Sequence, residues 1–131
     1  MIVGKLAKTY DEINMVKNSM PKHGTLNALC IVGFWDKDIC VGGSYLHSEY
    51  PNELVMEFYT HCPTVIHAIG YSFTEFLKLK GQLNAKIATD NYKSLKIARM
   101  LGFKKLYTAD GKVAVQLYKE NWRYTKRHPI G

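Results

Sequence analysis

Along the chain, apolar residues recur at two different periods, and the changes of period mark its elements. Ile2 to Leu6 reads as a short strand. Ile13 and Val16 then recur at helical spacing within Tyr10 to Ser19, behind Thr9 or Asp11 as caps. Pro21 and Gly24 end that helix. Leu26 to Trp35 is a continuous apolar run, the pattern of a buried strand, and Asp36-Lys37-Asp38 turns it back into a second strand, Ile39 to His47. Gly42 and Gly43 inside that strand mark a bulge or a close approach of another backbone. After the break at Pro51-Asn52, Leu54 to Thr60 reads as the next strand.

Thr64 to Lys80 carries the longest helical pattern, with Ile66, Ile69, Phe73, Phe76 and Leu77 as its apolar stripe, Thr64 as cap and Gly81 as stop. A strand at Ala85 to Thr89, a helix opened by Asn91, and strands at Lys104 to Thr108 and Val113 to Tyr118 complete the chain. Ala109-Asp110-Gly111-Lys112 between the last two reads as a hairpin turn. The order β-α-β-β-β-α-β-α-β-β predicts an α/β (α+β mixed) fold, a mixed sheet with helices on its faces. No repeat, linker or low-complexity stretch divides the sequence, so residues 1–131 read as one domain.

The segment Asn91 to Phe103 carries the most specific pattern. Asp90 or Asn91 can cap, Ser94, Leu95, Ala98 and Leu101 share a face, Gly102 suits a left-handed C-cap and Phe103 can fold back on the helix. It resembles the N-x-x-(A/S)-hydrophobic-…-L-G-F signature of the GNAT N-acetyltransferase superfamily, and the likeness extends from about Leu54 to Tyr118. The resemblance is to short, divergent, bacteriophage-encoded members. It implies a mostly antiparallel sheet with a central splayed strand pair, acetyl-CoA lying in the gap, and acetyl transfer to a primary amine on a small molecule or a protein. It also implies that the exposed amides of Phe58, Tyr59 and Thr60 hold the pantetheine arm. The pyrophosphate is expected at the start of the following helix, beside His67, Ala68, Ile69 and Gly70, with Asn91 nearby. The family's loop pattern, (Q/R)-x-x-G-x-(G/A), falls on Val65 to Gly70, and Val65 departs from it. The family's Tyr acid four residues before the Gly-Phe pair is Ala98 here. For the base, Glu57 is the first choice, with Glu53 and His61 on the same face of an extended strand; His47 and Glu49 follow. The alternative is a GNAT-fold protein without catalysis, viral and structural or directed at a host factor, favoured by Val65 and Ala98.

Charge and composition narrow this only slightly. A chain of 131 residues that is 47% hydrophobic can bury its own core. A net charge of +7 favours anionic partners, either a phosphate-bearing cofactor or nucleic acid. Only the tail, Trp122 to His128, mixes aromatic rings with cations as a nucleic-acid contact would. Cys30, Cys40 and Cys62 form no CxxC pair, and His61, Cys62 and His67 lack a fourth ligand, so packed thiols and no metal are expected. No apolar run approaches the ~20 residues that span a bilayer and the N-terminus lacks a secretory pattern, so a cytoplasmic protein is expected, in the host cytoplasm if viral.

Overall fold

The computed structural model describes residues 2–22, 28–47, 53–58 and 65–122, with the backbone alone at Glu57 and Phe58. Strands β1 (Ile2–Leu6), β2 (Ala28–Asp36), β3 (Ile39–His47) and β4 (Leu54–Phe58) form an antiparallel sheet in chain order. Strands β5 (Gln82–Ala88), β6 (Lys104–Ala109) and β7 (Lys112–Tyr118) form a second, with β7 in the middle. Helix α1 (Tyr10–Asn18) lies between β1 and β2, α2 (Val65–Lys80) between β4 and β5, and α3 (Tyr92–Leu101) between β5 and β6. The element order is the one the hydrophobic periods predict.

Strand alternation sorts the helices onto two faces. Gly33 and Gly43 sit opposite each other in the β2–β3 register, and Val16 of α1 occupies the notch they leave. Gly4, one residue out of phase, lies against the Ala68 carbonyl and the Tyr71 side chain of α2. So α1 covers one face of the first sheet and α2 the other. The larger core belongs to the α2 face, with Phe34, Leu46, Ile69, Phe76, Leu83, Leu101 and Leu117 all buried there. A smaller cluster under α1 joins Val16, Met20, Trp35 and Tyr45.

The Gly42-Gly43 pair marks both features the sequence offers as alternatives. The register slips beside Gly42, where Phe34 pairs with Gly42 but Trp35 pairs with Cys40. A Cβ on Gly43 would stand 2.6 Å from Val16 Cγ1 and 3.0 Å from the Val32 carbonyl. Gly43→Ala therefore overpacks the α1 interface and is expected to cost roughly 1–3 kcal/mol. In a double-mutant cycle with Val16→Ala, the second change should recover part of that loss; simple additivity of the urea midpoints would contradict the contact.

The caps follow their sequence signals. Thr9 and Glu12 form a capping box: the Glu12 N–H donates to Thr9 Oγ1 (3.1 Å) and the Thr9 N–H to Glu12 Oε1 (3.0 Å). Thr9→Ala is expected to cost about 1 kcal/mol. The N–H groups of Thr9 and Lys8 hold the Glu12 carboxyl below its usual value of 4.5. A depressed folded pKa means that this stabilisation is complete above that value and is lost as pH falls through the folded pKa. Glu12→Gln should accordingly destabilise near neutrality and converge with the unsubstituted protein in acid, as read from thermal midpoints against pH.

One strand start moves by more than a residue. The strand expected from Ala85 begins at Gln82, because Gln82 and Asn84 already alternate with Leu83 and Ala85, their polar ends bonded to each other and to Gln116. The strand expected from Leu26 is observed from Ala28, its first residues lying outside the described ones. The thiols pack as expected where they are described. Burial, helped by the nearby Glu75 carboxylate, pushes the Cys30 thiol up, and Cys40 donates to the Gly42 carbonyl at 3.2 Å.

Candidate active site in the gap between two sheets

The two sheets meet at β4 and β5 through an isolated parallel bridge, Glu53 to Asn84, and no ladder continues it.

Backbone direction shows what lines the opening. Thr89 N–H and Gly81 C=O bond toward β7, so odd-numbered residues of β5 face β7 and Lys86 and Ala88 face β4. Glu53 C=O accepts from His47 on the β3 side, so Met56 and Phe58 face β5. These four residues turn their N–H and C=O groups into the gap without a ladder partner across it. A strand edge held open in this way can bond the amides of an extended ligand.

A cleft of about 250 Å³ opens on the α2 face of the gap. Leu54 and Met56 of β4, Ala85 to Ala88 of β5, Ile69 and Phe73 of α2, and Asn91, Ser94, Ile97 and Ala98 of α3 line it. Phe103 and Val115 close its inner end. Phe73 anchors that end: its ring lies 5.5 Å from Phe103, edge to face, and 5.8 Å from Trp122. Trp122 thus packs, partly buried, against the core beside the cleft.

Helix α3 is positioned as its sequence predicts. The Ser94 N–H donates to Asn91 Oδ1 at 3.2 Å, fixing the N-terminus beside the cleft. Gly102 takes φ +100, and a side chain there would meet the Asn121 carbonyl, so both backbone and space demand glycine. The Phe103 N–H reaches back to the Ala98 carbonyl at 3.0 Å, which turns Phe103 onto Phe73.

The expected site residues divide. Asn91 lines the cleft and Phe58 presents its main chain to the gap. Tyr59, Thr60 and His61 lie outside the described residues. Glu57 pairs with Gly43 and shares the strand phase of Glu53 and Val55. Glu53 is not in the cleft; it lines a hollow on the opposite face. The expected phosphate positions fall within helix α2, which is described from Val65 onward, with Val65 and Ile66 in its first described turn. Ile69 and Gly70 lie a turn inside, buried, with their amides committed to the helix; Ile69 contributes only its side chain to the cleft. Ala68 is buried against Gly4.

On the other face α1 covers the first sheet, while among the described residues nothing covers the second. Two adjoining hollows of about 300 and 390 Å³ lie there, over Asn84, Lys86, Tyr107, Ala114 and Gln116. Ala85, Lys86 and Val115 line both the first hollow and the cleft, so only one strand's width separates them. Among the described residues no group of His, Cys, Asp and Glu could hold a metal ion, and no helix is long and apolar enough to cross a membrane.

No family model and no curated protein matches the chain by sequence. Solved structures do match its fold. An N-acetyltransferase from Staphylococcus aureus Mu50 has a TM-score of 0.67 at 12% identity, over 92% of this chain and 99% of that one. The spermidine/spermine N-acetyltransferase SpeG from Vibrio cholerae has a TM-score of 0.67 at 10% identity, over 92% and 96%. The Campylobacter jejuni N-acetyltransferase PseH, in its complex with acetyl coenzyme A, has a TM-score of 0.59 at 14% identity, over 91% and 99%. Strand order, the open β4–β5 pair and these likenesses agree: the chain has the fold of the GNAT N-acetyltransferases.

Proposed function

We propose that this protein is an N-acyltransferase that takes acetyl-CoA in the β4–β5 cleft and passes its acetyl group to a primary amine. The observation that carries this reading is the isolated Glu53–Asn84 bridge, beyond which Met56, Phe58, Lys86 and Ala88 turn main-chain groups toward the gap with no ladder partner among the described residues. The pantetheine arm is an extended chain with two amides, the shape and chemistry that such strand edges accept. The first described turn of α2, at Val65 and Ile66, lies at the positive end of a helix dipole and offers a place for the pyrophosphate.

The chemistry follows from the two faces. The amine nitrogen, approaching from the face opposite the cleft, attacks the thioester carbonyl. A C–N bond forms, the C–S bond breaks, the amine's proton passes to Glu57 or to water held by it, and the thiolate is protonated from solvent. Ala98 has no hydroxyl to offer, and Asn91 and Ser94 are the uncharged polar side chains at the cleft. Water is a sufficient proton source for a thiol of ordinary acidity.

Acetyl-CoA should bind weakly, with Kd on the order of 0.1–1 mM, because Val65 adds no polar side chain to the phosphate turn. A concentration ten times Kd should stabilise the fold by roughly 1.4 kcal/mol and raise its thermal midpoint by about 3–7 °C. Val65 and Ala98 also favour a second reading, a GNAT-fold protein used for binding without catalysis. A midpoint unmoved at several millimolar acetyl-CoA is the result that reading expects.

A further inference from the structure

We propose that the hollow on the open face of the second sheet holds the acceptor, and that it selects an amine carrying an anionic group several ångströms from its nitrogen. This rests on the acyltransferase reading for its chemistry, while the hollow itself is visible without it.

The place is set by the gap. Glu53, at the apex where β4 and β5 still touch, lines the hollow, and Ala85, Lys86 and Val115 line both the hollow and the cleft. An amine bound at that edge is within one strand spacing, about 5 Å, of a carbonyl in the gap.

The hollow is also a built feature. In the β6–β7 ladder Lys105 pairs with Val115 and Tyr107 with Ala114, which leaves Leu106 as an extra residue. The bulge turns Leu106 and Tyr107 together over the hollow, where both remain about half exposed, at 52% and 54%. Bulges re-aim side chains in this way beside binding sites. On the floor, Asn84 Oδ1 accepts from Gln116 Nε2 at 2.9 Å and from Gln82 Nε2 at 3.5 Å. With its oxygen used twice, Asn84 has its amide hydrogens left to donate.

The charge pattern defines the ligand. None of β5, β6 and β7 contains an Asp or Glu. Register places Lys104, Lys86 and Lys112 on the hollow side, in successive rows with Gln116, Ala114 and Ala88. All three lysines are exposed. Among the described side chains, the carboxylates nearby stand at the ends: Glu53 at the gap and Asp110 in the turn. Rows two residues apart are separated by about 7 Å. With neighbouring strands about 4.8 Å apart, an amine seated by Glu53 therefore meets Lys86 about 8 Å away and Lys104 and Lys112 about 14–17 Å away, a setting that repels a polyamine and suits an amino acid with a long spacer.

The test compares 6-aminohexanoate, hexylamine and 1,6-diaminohexane as acceptors with acetyl-CoA at low salt. Expected kcat/KM falls in that order, by roughly three- to fivefold per step, and the differences shrink as salt rises. Lys86→Glu should reverse the order of the acid and the diamine, whereas Lys96→Glu, an equal change of net charge on α3, should leave it. Equal rates for the three amines, a preference for the diamine, or an order untouched by Lys86→Glu would each overturn the proposal. If acetyl-CoA binds but no amine is acetylated, amide shifts at Lys86, Tyr107 and Gln116 on titration with 6-aminohexanoate decide it: movement supports the site and stillness overturns it. Failure of acetyl-CoA to bind would instead count against the acyltransferase reading, and the same titration would still judge the hollow.

Discussion

Glu57→Gln should lower acetyl transfer to a primary amine by about 10²–10⁴-fold, the range typical of removing a general base, with Kd for acetyl-CoA changed less than about twofold. Glu57 sits on β4 opposite Gly43, in a cross-strand row that runs through Gly33 to Lys5. Its strand phase is that of Glu53, which lines the acceptor hollow, and its backbone is tied to β3 rather than to the gap. A base is required because an amine with an ordinary pKa near 10.4 is almost wholly protonated at neutral pH. Gln keeps the size and most of the hydrogen bonding and removes the proton acceptor. The acidic limb of the rate against pH should go with it. A wild-type enzyme that is active while Glu57→Gln turns over equally across pH would remove Glu57 from the mechanism, and Glu53, His47 or solvent would have to supply the base.

Phe73→Ala should have the largest effect on stability, roughly 3–5 kcal/mol, out of a total on the order of 5–15 kcal/mol for a domain of this size. Phe73 is 3% exposed and joins α2 to Phe103 and Trp122, so truncation opens a cavity where the second sheet and α3 meet α2. Phe76, fully buried on the same helix, is outside the cleft and serves as its control. Both truncations should lower the urea midpoint by similar amounts, but only Phe73→Ala should also weaken acetyl-CoA binding. A midpoint shift worth less than about 1 kcal/mol would show that Phe73 is not the anchor its contacts imply.

The elements were legible because each obeys its period. Ile2 to Leu6 and Ile39 to His47 match their strands end to end, and Asp110 and Gly111 both take positive φ in the hairpin turn their identities predict. The Asn91 to Gly102 helix was readable down to its caps, since capping is a local matter of side chain and backbone. The gap was legible only through the family resemblance, because the pairing of Glu53 with Asn84 spans the whole of α2 and has no local signature.

What lay beyond the sequence is what depends on distant partners. Met56, Ile87 and Val115 come from three separate strands and Phe103 from the turn after α3, and no spacing reveals that they line one cleft. The burial of Ile69 and Gly70 inside α2 is of the same kind, because a motif alignment fixes letters and not burial. The Leu106 bulge is a register slip between strands, invisible in a run of alternating residues. Trp122 reads as a tail residue beside cations, yet its ring is drawn in by Phe73.

Titration of the protein with acetyl-CoA, followed through its backbone amide resonances, tests the cleft most directly. The amides of Met56 and Phe58 on one strand, Lys86 and Ala88 on the other, and Val65 to His67 at the start of α2 should shift together and saturate with one Kd, on the order of 0.1–1 mM. If these amides stay still at several millimolar, or if only residues around the exposed cations Lys96 and Arg99 of α3 respond, the β4–β5 gap is not an acyl-CoA site.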